Sequence, residues 1–298
     1  MDWLDRMNAA IDYIEDNLTG EIDYKLAAKA ACCPDYHFQR MFAFISEVTL
    51  SEYIRRRRLT LAAFELQQSN KSVIEVAQTF GYQSHASFTR AFRELHGISP
   101  ITSRQPGVKL KAYPRMSFRI SITGRTEMSY RIEKKPGFTA VGFKHNVYMD
   151  HAYSYIPKIW QEASQNGIGE KLLGLLDKHV QQAPKAILGI LAGGNWGRAD
   201  TFFYYTAAPY EQEAPADMEK LIIPQCQWVV FEPQTLADFT STWKRLYTDW
   251  LPTSDYVLSD IPAVECYYPS GHYPQNELWI PIRREEDENG RTEKNRIC

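Results

Sequence analysis

The chain has 298 residues, 44% hydrophobic and 13% aromatic, which is apolar material enough for two domains and excludes wholesale disorder. Its five cysteines form no Cys-x-x-Cys pair, which argues against a disulfide framework or a zinc site, and no apolar run approaches the ~18 residues of a membrane span. The formal net charge is −2 but unevenly spread: residues 35–119 hold thirteen Lys and Arg against six acids, an excess that suits phosphate binding and equally suits a solvated helical face.

Trp3, Met7, Ile11, Ile14 and Leu18 recur at helical spacing, which predicts one amphipathic helix ending near Thr19-Gly20. A short helix over 24–31 follows, then a break at Cys33-Pro34. Asp35 is placed to cap a helix that buries Phe38, Met41, Phe42 and Ile45. Residues 50–68 read as a long helix containing Arg55, Arg56, Arg57 and Arg58. Four consecutive helical positions span about 300°, so these arginines cannot all face one partner. Ser72 caps another short helix, Gly81 breaks it, and Ser84 caps the next, which buries Phe88, Ala91, Phe92 and Leu95. His96-Gly97 ends that helix, and Ser99-Pro100 opens a last short one.

The chain nearly repeats itself at an offset of fifty. Leu26 answers Val76, Ala27 answers Ala77, Phe38 answers Phe88, Arg40 answers Arg90 and Phe42 answers Phe92. Each copy is a short helix, a tight turn and a second helix, so the pattern is a helix-turn-helix met twice. The phenylalanines form the inner face of each second helix. Arg40 and Arg90 sit two residues from each aromatic, about 200° around, and are expected to point outward toward a major groove. A plain helical bundle with solvated arginines is the alternative.

The segments YHFQRMF, EYIRRRRL and GYQSHASFTRAFRELHGISP resemble the DNA-binding domain of AraC-type transcriptional regulators, over about residues 2–105. The resemblance implies base readout by Tyr36, Gln39 and Arg40 of the first recognition helix, and by His85, Ser87, Thr89 and Arg90 of the second. Two departures stand out. Ala31 and Cys32 replace the glycine and tyrosine of the second turn, and Ser103 stands where an aromatic residue is expected before Arg104.

Residues 106–119 lack helical period and read as a linker. Beyond residue 120 the pattern turns to β-branched and aromatic runs. Two strands flank Pro136-Gly137, a helix covers 152–165 with Ile156, Ile159, Trp160 and Ala163 inward, and AILGILAG and TFFYYTAA read as paired strands. QWVVFEP, a helix carrying Phe239, Trp243, Leu246 and Trp250, and the strands AVECYYP and ELWIPI then restate the pattern. Two such halves predict one α+β domain with an internal pseudo-twofold repeat and a ligand site in the cleft between them.

Carboxylates among aromatics are the chemistry that stands out. Glu277 and Trp279 share one strand face, and Glu265 and Tyr267 share another, an arrangement suited to a lipophilic cation. Aromatics at alternate strand positions serve equally well as core. Residues 126–284, and ELWIPI above all, resemble the GyrI-like effector-binding domain. That resemblance implies that Glu277 pairs with a cationic ligand, with Tyr148, Trp196, Tyr205, Tyr267 and Trp279 as aromatic partners.

The expected architecture is multidomain: an all-α double helix-turn-helix DNA-binding domain (1–105), a linker (106–119), an α+β GyrI-like domain (120–284) and a charged tail (285–298). The expected function is a ligand-responsive promoter activator in the cytoplasm, associated with the nucleoid. Its partners would be double-stranded DNA, a small-molecule effector and RNA polymerase, with no membrane, cofactor, metal or catalytic role. Two alternatives stand beside it: a hydrolase pairing Glu277 with Tyr205, and a protein-interaction module on a constitutive DNA binder.

Overall fold

A computed structural model describes residues 3–119, 127–176, 182–193, 201–269, 271 and 273–284. The chain divides into two compact units: residues 1–32 with 48–120, and residues 33–47 with 121–298. Among the described residues no helix is long and apolar enough to cross a membrane.

The first unit contains α1 (Trp3–Asp16), α2 (Tyr24–Ala30), α4 (Leu50–Gln68), α5 (Val73–Thr79) and α6 (His85–His96). Local chemistry sets the boundaries. The Ser72 hydroxyl accepts from Glu75 N, and the Glu75 carboxylate accepts from Ser72 N, which closes a capping box at the start of α5. Gly81 turns the chain at φ +79°, and a Cβ there would lie 2.9 Å from Nη1 of Arg58. Phe88, Phe92, Leu59, Ala62 and Val76 form the core on which α6 lies. Ser99-Pro100 leads only into a 3₁₀ turn, Thr102–Arg104, and Ser103 is fully buried there beneath the Gln67 amide, which donates to its carbonyl at 3.3 Å. A small residue at 103 therefore fits where an aromatic one was expected.

The stretch read as a linker is tied to this unit. Tyr113 N donates to Thr60 Oγ1 (3.1 Å), Met116 N donates to the Tyr53 hydroxyl (3.2 Å), and Asn8 holds Phe118 by both its backbone N–H (2.8 Å) and its carbonyl (3.1 Å).

The second unit holds α3 (Asp35–Ser46) together with the α+β part of the chain. Pro34, not Asp35, occupies the N-cap of α3, and Asp35 is its first helical residue. The strands are β1 (Tyr130–Lys135), β2 (Phe138–Tyr148), β3 (Ile187–Ala192), β4 (Thr201–Pro209), β5 (Glu219–Ile223), β6 (Cys226–Phe231), β7 (Tyr256–Leu258), β8 (Ala263–Tyr267) and β9 (Asn276–Arg284). The helices are α7 (Ala152–Gln165), α8 (Ile168–Leu175) and α9 (Asp238–Arg245), the last prolonged by a π turn and a 3₁₀ turn to Thr253.

All described strand pairs are antiparallel, in the order β1-β6-β9-β8-β3-β4-β2-β5, with β7 also paired to β9. Exchanging β1 with β5, β2 with β6, β3 with β8 and β4 with β9 reproduces this order reversed. The sheet therefore has a pseudo-twofold axis at the β3–β8 pair, and each half contributes its first strand to the edge of the other. The expected repeat is present, with α7 and α9 as corresponding helices. α8, β5 and β7 have no counterpart among the elements expected from the sequence.

Candidate functional site

A cavity of about 790 Å³ opens in the second unit between α7 and α9. Its wall is mostly aromatic and aliphatic, with Phe44, Ile156, Trp160, Phe202, Phe239, Trp243 and Tyr267, and Arg40, Glu265 and Asn276 are among its polar groups. That size and lining suit a drug-sized organic molecule. The Tyr267 ring stands between the two helices, 4.9 Å from the Trp160 ring and 5.2 Å from the Phe239 ring.

Glu265 on β8 is the carboxylate of this cavity, and it is buried. Its Oε1 accepts from Trp243 Nε1 (3.0 Å), and its Oε2 accepts from the hydroxyls of Tyr204 and Tyr267 (both 2.9 Å). Tyr204 in turn accepts from Trp160 Nε1 at 2.8 Å. One indole N–H from each of the corresponding helices thus feeds the same network. Burial, and next the Glu265 charge, push the Tyr204 phenol well above the ordinary tyrosine range, so it stays a donor. Among the described residues the three groups that donate to Glu265 are all neutral, and they fix the orientation of its carboxyl group.

Gly189 makes the network possible. It stands opposite Glu265 in the β3–β8 ladder. A Cβ at 189 would lie 2.1 Å from the Tyr204 hydroxyl and 2.9 Å from Glu265 Oε2. The absent side chain is the space in which phenol and carboxylate meet.

Several expected ligand residues lie elsewhere. Glu277 does not line the cavity; it pairs with Arg131 and accepts from the Tyr268 hydroxyl (2.7 Å) and Trp279 Nε1 (2.8 Å). Trp279 belongs to the core cluster with Trp228 and Cys266, and the Lys135 ammonium lies 4.3 Å from its ring centre. Tyr205 also packs in that cluster and donates to Glu219 at 3.0 Å, so the acid–base pairing of Glu277 with Tyr205 does not form. Tyr148 is exposed on β2, off the cavity wall, and Trp196 lies outside the described residues. Glu265 and Tyr267 are the two expected residues found together here. Trp160, expected to face inward, and Trp243 are not among the expected ligand residues. Their indole N–H groups needed acceptors, and that was the signal available in the sequence.

The expected DNA-reading residues divide in the same way. On α6, His85, Ser87 and Arg90 are exposed and Thr89 is half-buried, while Phe88 and Phe92 face inward. Ser87 is partly committed to the N-cap, its hydroxyl donating to the Ser84 carbonyl at 2.9 Å. Arg93, one turn on from Arg90 and Thr89, is also exposed and is not among the expected residues. On α3 the expectation of outward side chains fails: Gln39 is 3% exposed and Arg40 5%. The side chain of Tyr36 lies outside the described ones.

The arginine run is likewise consumed within the first unit. Arg57 makes a buried bidentate pair with Glu15 and donates to the Tyr113 carbonyl, and Arg58 donates to the carbonyls of Leu18 and Gly20. Arg55 and Arg56 both pair with Glu52, and Arg56 lies over the Tyr113 ring.

A family model described as a GyrI-like small molecule binding domain matches residues 128–283, just over half of the 298, and a helix-turn-helix domain model matches residues 27–105. The transposon Tn10 TetD protein of Escherichia coli is 39% identical over 88 residues, 30% of this chain and 64% of TetD, so the chain spans somewhat under two thirds of that relative. The regulatory protein SoxS of Salmonella typhimurium is 36% identical over 90 residues, 30% of this chain and 84% of SoxS. The solved structure of SAV2435 bound to tetraphenylphosphonium superposes with a TM-score of 0.45 at 18% identity, covering 55% of this chain and 99% of that one. A helix-turn-helix domain shared with such regulators, followed by a domain that matches the GyrI-like model, means that the chain belongs to the AraC-type DNA-binding regulators and carries a GyrI-like small molecule binding domain.

Proposed function

We propose that this regulator senses a lipophilic organic cation and changes transcription in response. The observation that carries the reading is Glu265: a buried carboxylate in an aromatic cavity whose hydrogen-bond donors, Trp243, Tyr204 and Tyr267, are all neutral. A cation entering there meets a carboxylate already oriented by neutral donors, in a cavity that Arg40 also lines. It gains cation–π attraction from Trp160, Trp243 and Tyr267 and apolar contact from Phe44 and Phe239.

On the DNA side, the exposed face of α6 is suited to a major groove, with Arg90 as the principal base reader and His85, Thr89 and Arg93 around it. The regulator acts as an activator, and its DNA-bound form recruits RNA polymerase; in vitro transcription from a bound promoter with and without cation tests this, and transcription that falls on protein addition refutes it.

The deciding experiment for the ligand uses the full-length protein. Calorimetric titration with tetraphenylphosphonium is set beside the neutral triphenylphosphine oxide. The reading requires saturable binding with a clear preference for the cation, lost in Glu265→Gln. Equal binding of both compounds, or a preference that survives Glu265→Gln, refutes it.

A further inference from the structure

Phe38-x-Arg40-x-Phe42 on α3 repeats Phe88-x-Arg90-x-Phe92 on α6, yet the two arginines have opposite environments. Arg90 is exposed; Arg40 is buried inside the second unit. The Arg40 guanidinium lies 3.5 Å from the centre of the Trp243 ring, 5.2 Å from that of Phe44 and 6.0 Å from that of Phe202. Trp243 passes its N–H to Glu265, and all five residues line the cavity described above. A positive charge in the cavity is therefore supplied by the chain itself.

That occupant is held imperfectly. Among the described residues, Arg40 Nη1 is buried without a hydrogen-bond partner, and so are both polar atoms of the neighbouring Gln39 amide. Unsatisfied buried polar groups weaken the docked state relative to one in which water reaches them. An aromatic cation with more ring area and no hydrogen bonds to lose has an advantage over guanidinium in the same box.

We propose that Arg40 is a built-in surrogate ligand: it occupies the aromatic box beside Glu265, holds α3 against the cavity, and keeps Gln39 and Arg40 from DNA until a lipophilic cation displaces them. This rests on the cation reading of the cavity and adds the regulation of that site. The helix that would read the first half of an operator is the helix that plugs the sensor. Effector and α3 are then competitors, and the effector's apparent affinity is reduced by the fraction of molecules in which the plug is closed.

The test uses full-length protein and the variants Arg40→Met, which keeps length and removes charge, and Arg40→Lys, which keeps charge but not the planar guanidinium. Amide hydrogen exchange is followed on Asp35–Ser46 without ligand, and far-UV circular dichroism confirms that each variant is folded. Faster exchange in α3 of Arg40→Met, with Arg40→Lys between it and wild type, supports the plug. Protection equal to wild type in both overturns it, whatever the cavity binds. Tetraphenylphosphonium titration is the second arm: Arg40→Met should bind roughly tenfold more tightly because the competitor is gone. Unchanged or weaker binding overturns the surrogate role while leaving the cavity a cation site. A failure of the cation reading itself appears separately, as indifference between cation and neutral analogue in every variant.

Discussion

Glu265 and Glu277 stand on opposite faces of the same two-stranded ladder. Cys266 is the partner of Glu277 in the β8–β9 register, and Glu265 is the partner of Leu278. Successive side chains of a strand alternate faces, so a glutamate beside Cys266 cannot share a face with Glu277. One faces the cavity with three neutral donors; the other is spent on Arg131.

The two carboxylates should therefore separate cleanly by mutation. Glu265→Gln should reduce the preference for tetraphenylphosphonium over triphenylphosphine oxide by about tenfold or more, the worth of one charge-assisted interaction. Glu277→Gln should leave that preference intact and lower stability by about 1–3 kcal/mol, because Arg131 loses its most buried partner but keeps Glu133 and Glu232. Calorimetry and urea unfolding on both variants check this. Loss of cation preference in Glu277→Gln alone would restore the assignment made from the strand motif.

Elements and faces were legible in the sequence to different degrees. The helices over 50–68 and 152–165 were readable because apolar spacing is local, although only the first carries a side-chain cap, Thr49. The pseudo-twofold repeat was readable because each half spells strands around a helix. Which glutamate faces the cavity was not readable, because a strand's two faces are distinguished only by what covers them, and the covering residues, Trp160 and Trp243, are distant in sequence. Tyr204 was missed for Tyr205 by one position, which on a strand is the opposite face. The burial of Arg40 was invisible for the same reason: its spacing from Phe38 and Phe42 predicts an outward direction but not what lies there.

Gly189 is a position where a methyl group should be costly. With a Cβ 2.1 Å from the hydroxyl of a fully buried tyrosine, Gly189→Ala must move Tyr204 or the strand, and overpacking of this kind costs about 1–3 kcal/mol. Adding Tyr204→Phe removes the closest atom, so the double variant should recover part of the loss. Urea unfolding of the four proteins in this cycle reads the coupling; strictly additive losses would mean that residue 189 and Tyr204 do not compete for the same space.

His37 on α3 gives the second unit a pH dependence. Burial, and next the charge of Arg40, lower its pKa from 6.5 to about 3, against the opposing influence of the Ser259 and Ile261 backbone. The folded state therefore holds His37 neutral while the unfolded chain protonates it. The stability is fully present above about pH 6.5 and is lost as pH falls from there toward 3, at up to about 1.4 kcal/mol per unit. Between pH 7.5 and 5.5 wild type should lose about 1 kcal/mol more than His37→Gln in urea unfolding. Equal losses would place the titration elsewhere.

Arg90 and Arg57 should fail in different ways, which distinguishes DNA contact from scaffold. Arg90→Ala should weaken binding to a duplex selected by wild type from a random pool by about 1–3 kcal/mol, with relaxed preference at one base position and unchanged stability. A uniform loss over all sequences, with a shallower salt dependence, would make Arg90 a phosphate contact instead. Arg57 lies in the run that looks most like a phosphate-binding patch, yet its side chain is 11% exposed and that of its partner Glu15 is 9%. Arg57→Met leaves a buried carboxylate without its cation and should cost about 3–5 kcal/mol of unfolding free energy. Arg55→Met and Arg56→Met break half-exposed pairs to Glu52 and should each cost under about 1 kcal/mol. If instead Arg57→Met folds as stably as wild type and lowers the salt dependence of DNA binding, the Glu15 pair is dispensable and the run does face phosphate.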